Sequence, residues 1–266
     1  MSDDQKSIRP AAVAGMFYSD DPDQLGSDIS YYLQHAEALP EPAPKAIIVP
    51  HAGYIYSGPI AASAYKQLEA IRHKIKQVVL LGPSHRVALN GIATPDADYF
   101  STPLGNIKIN RPLCEKFENY DFVQRSIAAH SQEHSLEVQL PFLQKVLNEF
   151  ELTPLVVGSC NANDIAQLLD TVWNNDDTII VISSDLSHYH DYLTATKLDQ
   201  HTSAAIENLQ PENISYDDAC GRSPLNGLLT LAKQKHSSIQ TIDLRNSGDT
   251  AGDKQRVVGY GAYVVH

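Results

Sequence analysis

Apolar residues in this chain come in short unbroken runs that each stop on a polar group. Ala46-Ile47-Ile48-Val49-Pro50 ends in His51, and Val78-Val79-Leu80-Leu81-Gly82-Pro83-Ser84 ends in His85. A third run, Ile179-Ile180-Val181-Ile182, gives way to Ser183-Ser184-Asp185-Leu186-Ser187-His188. Runs of four without polar alternation fit strands buried on both faces, as in a parallel sheet covered by helices. Between the first two lie a glycine-containing loop over residues 52–59 and an Ala-rich helix expected over 60–74. That is a strand-helix-strand unit, so its two strands are expected to be parallel and adjacent, with both histidines at one edge. Ligands of open parallel sheets bind at that edge.

The remaining pattern fills in helices and flanking strands. Ser19-Asp20-Asp21-Pro22 supplies a helix cap and a first-turn proline ahead of Leu25, Ile29, Tyr32 and Leu33, and the proline cluster over 39–44 stops that helix. Residues 90–110 read as short strands and turns, an insertion or a hairpin at the sheet edge. Helices are expected over 113–119, 162–173, 191–209 and 225–235, and strands over 152–157, 239–244 and 257–265. Pro141 requires either a kink or a helix that starts near Leu140. The fold class is therefore α/β: a single domain over 1–266 with a mostly parallel central sheet flanked by helices.

Composition narrows the function. Hydrophobic residues are 42% and charged residues 20% of the 266, ordinary values for a packed domain. The formal charge of -12, from 20 Lys and Arg against 32 Asp and Glu, argues against a nucleic-acid partner, whose backbone calls for clustered cations. No apolar run approaches membrane-spanning length. The polar start and three scattered cysteines, Cys114, Cys160 and Cys220, show neither a signal peptide nor a disulfide framework, so a cytoplasmic location is expected.

One histidine after a strand has a plain explanation, because some polar residue must end an apolar run. Three such histidines, His51, His85 and His188, point to a shared site, and neutral imidazole is the commonest protein metal ligand. Asp185 and Asp249, the latter in the Gly- and Asp-rich loop 246–253, are the natural carboxylates. Two histidines and a carboxylate suit non-haem Fe(II), whereas a zinc hydrolase uses similar donors to activate water. His134 stands at a helix start as a candidate proton carrier, with His190 as a supporting neighbour. No Gly-x-Ser-x-Gly elbow supports a serine nucleophile, and no GxGxxG is present. Tyr54, Tyr56 and Tyr189 flank the histidines and suit a stacking wall for a planar substrate.

Four motifs in order carry a resemblance: Pro50-His51-Ala52-Gly53-Tyr54, Gly82-Pro83-Ser84-His85, Glu133-His134-Ser135-Leu136-Glu137-Val138-Gln139-Leu140-Pro141-Phe142 and Ser183-Ser184-Asp185-Leu186-Ser187-His188-Tyr189. With matches from Arg9-Pro10-Ala11 to Val257-Val258-Gly259-Tyr260-Gly261-Ala262, the chain resembles the Memo family, also called the AmmeMemoRadiSam system protein B family. The resemblance implies a fold similar to class III extradiol dioxygenases. It makes His51 and His85 look like metal ligands, His188 like the active-site histidine, with Asp185 in its motif, and His134 like a further pocket histidine. The animal Memo protein has a cysteine at its metal site near the C-terminus. This chain has none after Cys220, and motif order places Asp249 there, with Asp253 as the fallback.

These readings combine into an expected metal-dependent, dioxygenase-like oxidoreductase. Fe(II) is the first-choice metal, with Cu or Zn as alternatives, and the substrate is small and aromatic. Asp185 is expected to orient His188. The resemblance implies as partners the radical-SAM protein and protein A of the same system. The competing functions are a non-catalytic partner protein with a vestigial crevice and a metal-dependent hydrolase.

Overall fold

In the computed structural model, which describes residues 6–40 and 42–266, the unbroken runs split residue by residue between two faces of one sheet. Residues 1–5, where the absence of a signal peptide was read, and Glu41 lie outside the described residues. Ile47, Val49, Val78, Leu80, Ile179 and Val181 point into one core, and Ile48, Val79, Leu81, Ile180 and Ile182 into the other. A strand's two-residue period makes this division, so a run buried on both faces must be apolar throughout.

The chain begins with β1 (Ile8–Arg9), α1 (Pro22–His35), β2 (Ala46–Val49), α2 (Tyr54–Tyr65) and β3 (Gln77–Pro83). Then come β4 (Ile92–Thr94), β5 (Tyr99–Thr102), β6 (Gly105–Lys108), α3 (Arg111–Phe117), β7 (Val123–Arg125), α4 (Ile127–Ser131), α5 (His134–Glu137) and α6 (Leu140–Val146). It continues through β8 (Glu151–Val157), α7 (Ala162–Trp173), β9 (Thr178–Ser183), β10 (His188–His190), α8 (Tyr192–Glu207), α9 (Arg222–Gln234), β11 (Ile239–Asn246) and β12 (Val257–Val265). Helices α1, α2 and α6 contribute Leu25, Ile29, Ile60 and Phe142 to one core. Helices α7, α8 and α9 contribute Ile165, Ile206 and Leu228 to the other. Pro141 starts α6 rather than kinking a longer helix. No helix of the described residues is long and apolar enough to cross a membrane.

The large sheet runs β10-β12-β2-β9-β3-β8-β4-β7, with β11 also on β12. Its centre, β2-β9-β3-β8, is parallel, and the antiparallel pairings lie on the flanks. This corrects one expectation: β2 and β3 are parallel but not adjacent, because β9 lies between them. A crossover fixes the direction of two strands and leaves room for a third between them. The insertion brings Ser183-Ser184-Asp185 between the histidine-bearing strand ends. Residues 99–108 form the hairpin expected at the edge, but it belongs to a separate β1-β5-β6 sheet. Helix α2 starts at Tyr54, earlier than expected. Tyr54 N–H donates to Phe17 O at 2.8 Å, which anchors the first turn ahead of Pro59.

His130 makes stability depend on pH. It is 3% exposed, its Nε2 bonds Ala93 O at 2.9 Å, and its Nδ1 has no partner among the described residues. Burial holds its pKa down at about 4. As pH falls through about 6.5 the unfolded chain binds a proton that the folded one refuses, so stability is full above that pH. It declines between pH 6.5 and about 4, by ~3 kcal/mol from this residue. Urea unfolding at pH 7 and pH 4.5 should show a smaller acid loss in His130→Gln than in the parent. Equal losses would contradict the assignment.

Candidate metal centre

Three histidines from three parts of the chain meet where β2, β3 and α5 converge. The ligating nitrogens of His51, His85 and His134 lie within 4.8 Å of one another. His51 follows β2, His85 follows β3, and His134 opens α5, which packs against β3. Gly82 makes that packing possible, since a Cβ there would sit 2.7 Å from Ser135 Oγ and 2.9 Å from Leu136 Cδ2. The rings pack on one another, with centroids 4.6 Å apart for His85 and His134 and 5.2 Å for His51 and His85.

Hydrogen bonds set the tautomers of two of these rings. Ser183 Oγ donates its one proton to Ser135 O at 2.6 Å and accepts from Gln139 Nε2 at 2.8 Å. It therefore accepts from His51 Nδ1 at 2.9 Å, which leaves the His51 Nε2 lone pair free. His85 Nδ1 donates to Glu133 Oε1 at 2.9 Å, and its backbone N–H donates to Oε2 at 2.6 Å. Burial alone would raise the Glu133 carboxyl, but hydrogen bonds and charge from His85, helped by Ser135 N–H, hold it down at about 2. Glu133 thus stays an ionised acceptor, and His85 also keeps Nε2 free. Carboxylate-to-histidine pairing of this kind orients metal ligands and raises their basicity.

Burial pushes the pKa of His51 far down, reinforced by the charge of the His85, His134 and His188 rings, and burial pushes that of His134 down, reinforced by His85. Neutral imidazoles are what a cation needs. His134 Nδ1 lies 3.4 Å from Glu133 Oε1 without a hydrogen bond and has no other partner among the described residues. Three rings, two with locked donors and one with an orphaned nitrogen, fit a metal ion.

The remaining candidates fall in different places. Asp185 is 4% exposed, its Oδ1 accepts from His51 N–H at 2.7 Å, and its Oδ2 lies 4.0 Å from His51 Nε2. Burial raises its pKa. The expected Asp185–His188 pairing is absent from the hydrogen bonds of the described residues, because the carboxylate turns to the β2 end instead. His188 lines the same crevice from β10, and His190 lines it too. Asp249 is not brought to the histidines. Its Oδ2 caps the turn after β11 by accepting from Asn246 N–H at 3.0 Å, and its Oδ1 accepts from Tyr192 OH at 2.6 Å. Asp253 lines the crevice but is exposed, with its carboxylate on Gln255 N–H at 2.8 Å.

Two participants escape the sequence reading. Glu133 stands beside His134 in a recognisable motif, but only the folded chain turns its carboxylate to His85. Cys220 Sγ lies 3.3 Å from His51 Nε2. Burial, reinforced by Asp185, pushes this thiol up to about 12. The crevice above the centre holds about 1160 Å³ and has an aromatic wall of Phe17, Tyr56, Tyr189, Tyr216 and Tyr260. Tyr54, expected in that wall, is buried and bonds Val138 O at 2.7 Å.

The chain is similar to known proteins over nearly its whole length. Residues 9–264 match the family described as Memo-like protein. A "MEMO1 family protein" of Aquifex aeolicus (strain VF5) is 39% identical over 266 residues, covering 95% of this chain and 97% of its own. One of Methanobrevibacter smithii is 34% identical, covering 95% and 98%. The crystal structure of the uncharacterized protein JW3007 from Escherichia coli K12 shares the fold with a TM-score of 0.53 at 12% identity, over 82% of this chain and 98% of that one. With the match running from the first strand to the last, the chain belongs to the Memo family.

Proposed function

We propose that this chain is a non-haem, metal-dependent oxidoreductase that takes a small planar aromatic substrate into the crevice, with Fe(II) as its metal. The observation that supports this most is the pair of locked tautomers: Glu133 and Ser183 hold His85 and His51 so that both Nε2 lone pairs face His134 and the crevice. His51, His85 and His134 would hold the ion. Iron bound there would supply redox activation of dioxygen beside the substrate. The tyrosine wall stacks the substrate ring and excludes water. His188, on the crevice wall, takes or returns the substrate's hydroxyl proton at a ring nitrogen, and Asp185 Oδ2 is the nearby carboxylate oxygen of that wall.

Anaerobic purification followed by metal analysis tests the reading. Iron should accompany the parent protein and be lost from both His51→Ala and His85→Ala, with oxygen uptake on a panel of catechols present only in the parent. Unchanged iron in both variants would overturn the site. Zinc in place of iron, with ester or amide turnover and no oxygen uptake, would make the protein a hydrolase.

A further inference from the structure

We infer that Asp199, a buried carboxyl on α8, is the positioning residue of His188: it holds the strained turn that aims the His188 ring into the crevice. The inference rests on the proton role given to His188 above and deepens it. Three consecutive side chains, His188, Tyr189 and His190, line the crevice. A regular strand sends neighbours to opposite faces, so the alternation is broken here. The break is a bulge. His188 pairs with Val258 and His190 with Val257, which leaves Tyr189 as the extra residue. Tyr189 takes a φ of 63°, a left-handed conformation that is costly for a bulky side chain. Its ring is exposed, with only the Arg256 guanidinium over it at 5.0 Å. Such a backbone persists where its surroundings over-determine it.

The hold is on the residue before His188. Ser187 O accepts from Gly259 N–H at 2.8 Å, and Leu186 N–H donates to Gly259 O at 2.8 Å, so β12 fixes part of the turn. The Ser187 N–H remains for α8, and its acceptor is Asp199 Oδ1 at 3.0 Å. Asp199 is buried, and its Oδ2 has no hydrogen-bond partner among the described residues. A buried carboxyl oxygen left in that state is unfavourable, and an apolar side chain would fill the same space without the penalty. Packing alone therefore does not account for an aspartate here. The sheet is also shaped around it: a Cβ on Gly259 would sit 2.0 Å from Asp199 Oδ2, so only glycine lets β12 lie against this carboxyl. Burial raises the Asp199 pKa, opposed by the bond from Ser187 and by the charges of His188 and His190. One oxygen can accept from Ser187 N–H in either protonation state, so the hold is geometric and does not need the charge.

NMR of the full chain, with histidine isotope-labelled at Cε1 and no metal added, provides the test. The His188 signal is identified by its absence from His188→Gln. Asp199→Ala should move that signal and leave those of His51, His85 and His134 in place. Asp199→Asn keeps an oxygen for Ser187 N–H and should return the His188 signal to its parent position. Tyr189→Gly makes the left-handed turn easy, so in that background Asp199→Ala should move the His188 signal less. On the iron-loaded protein, kcat for oxygen uptake with catechol should fall by up to about 100-fold in Asp199→Ala at unchanged KM, and recover in Asp199→Asn. A folded Asp199→Ala with the His188 signal unmoved overturns the inference, as does one that displaces all four histidine signals alike. An Asp199→Asn that displaces the His188 signal also overturns it, and that variant decides the matter if Asp199→Ala does not fold. A parent that takes up no oxygen with any catechol overturns the oxidoreductase reading, and the His188 signal then judges the positioning by itself.

Discussion

Replacing Glu137 with alanine is expected to lower folding stability by about 3–5 kcal/mol, the scale of leaving a buried cation without its partner. The Glu137 side chain has no exposed surface and that of Arg9 has 5%, and Nη1 and Oε2 are 2.6 Å apart. The carboxylate also accepts from the N–H groups of Ala12 and Val13 and from Tyr18 OH at 2.7 Å. Burial and the Glu137 charge raise the Tyr18 pKa, so that hydroxyl stays a donor. Arg9 also donates to the carbonyls of His130, Glu133 and Pro10. Removing the carboxylate therefore strands one cation and three neutral donors in a dry interior.

Calorimetry should show the midpoint falling by about 6–10 °C for a chain of this size. A change smaller than about 1 kcal/mol would contradict the account. The double variant Arg9→Met with Glu137→Leu should recover only part of the loss, because Ala12, Val13 and Tyr18 still lack an acceptor. The effect reaches the candidate metal centre as well. The segment tied down by Glu137 carries Phe17, whose ring lies 4.8 Å from that of His134.

The second large effect is on metal affinity. Glu133→Gln is expected to weaken metal binding by about 10- to 100-fold while leaving the three histidines in place. Glu133 is 1% exposed and accepts three N–H groups, from His85 N, His85 Nδ1 and Ser135 N. A carboxamide offers one oxygen and two hydrogens, so at least one of these donors would face an NH₂ group. The His85 ring would then lose its fixed tautomer or turn its free nitrogen away from the centre. Competition titration with a chelator, parent against variant, measures the change. Affinities within twofold would show that Glu133 does not hold His85 for the metal. The Glu133 carboxyl is held at about 2, so the bond to His85 should outlast acidification that loosens the rest of the fold.

What was legible in the chain follows from how local each signal is. Strands β2, β3 and β9 are readable because burial on both faces requires every residue in the run to be apolar, and that requirement is written in consecutive positions. Helix α7 and strand β12 match their expected limits for the same reason, since amphipathic spacing and unbroken apolar runs are short-range patterns. His51 and His85 stand out because a polar group just past a buried strand's end is a departure from its own neighbours, whereas His188 opens β10, beyond the end of β9 at Ser183.

The tertiary structure decided everything that depends on residues far apart in the chain. No pattern in β2 or β3 says that β9 will pair between them, because a parallel crossover constrains direction and handedness but not the strand next door. Asp249 illustrates the same limit. Its loop follows the metal-site motif order, but a carboxylate goes to the donors that reach it, here Asn246 N–H and Tyr192 OH. Glu133, Ser183 and Cys220 join the centre through hydrogen bonds and a glycine-sized approach across separations of 48, 132 and 169 residues. By itself the chain determined which strands would be buried and which histidines would end them. Only packing decided which nitrogen each ring presents and what stands beside it, because tautomer and ligand geometry are set by partners that sequence spacing does not encode.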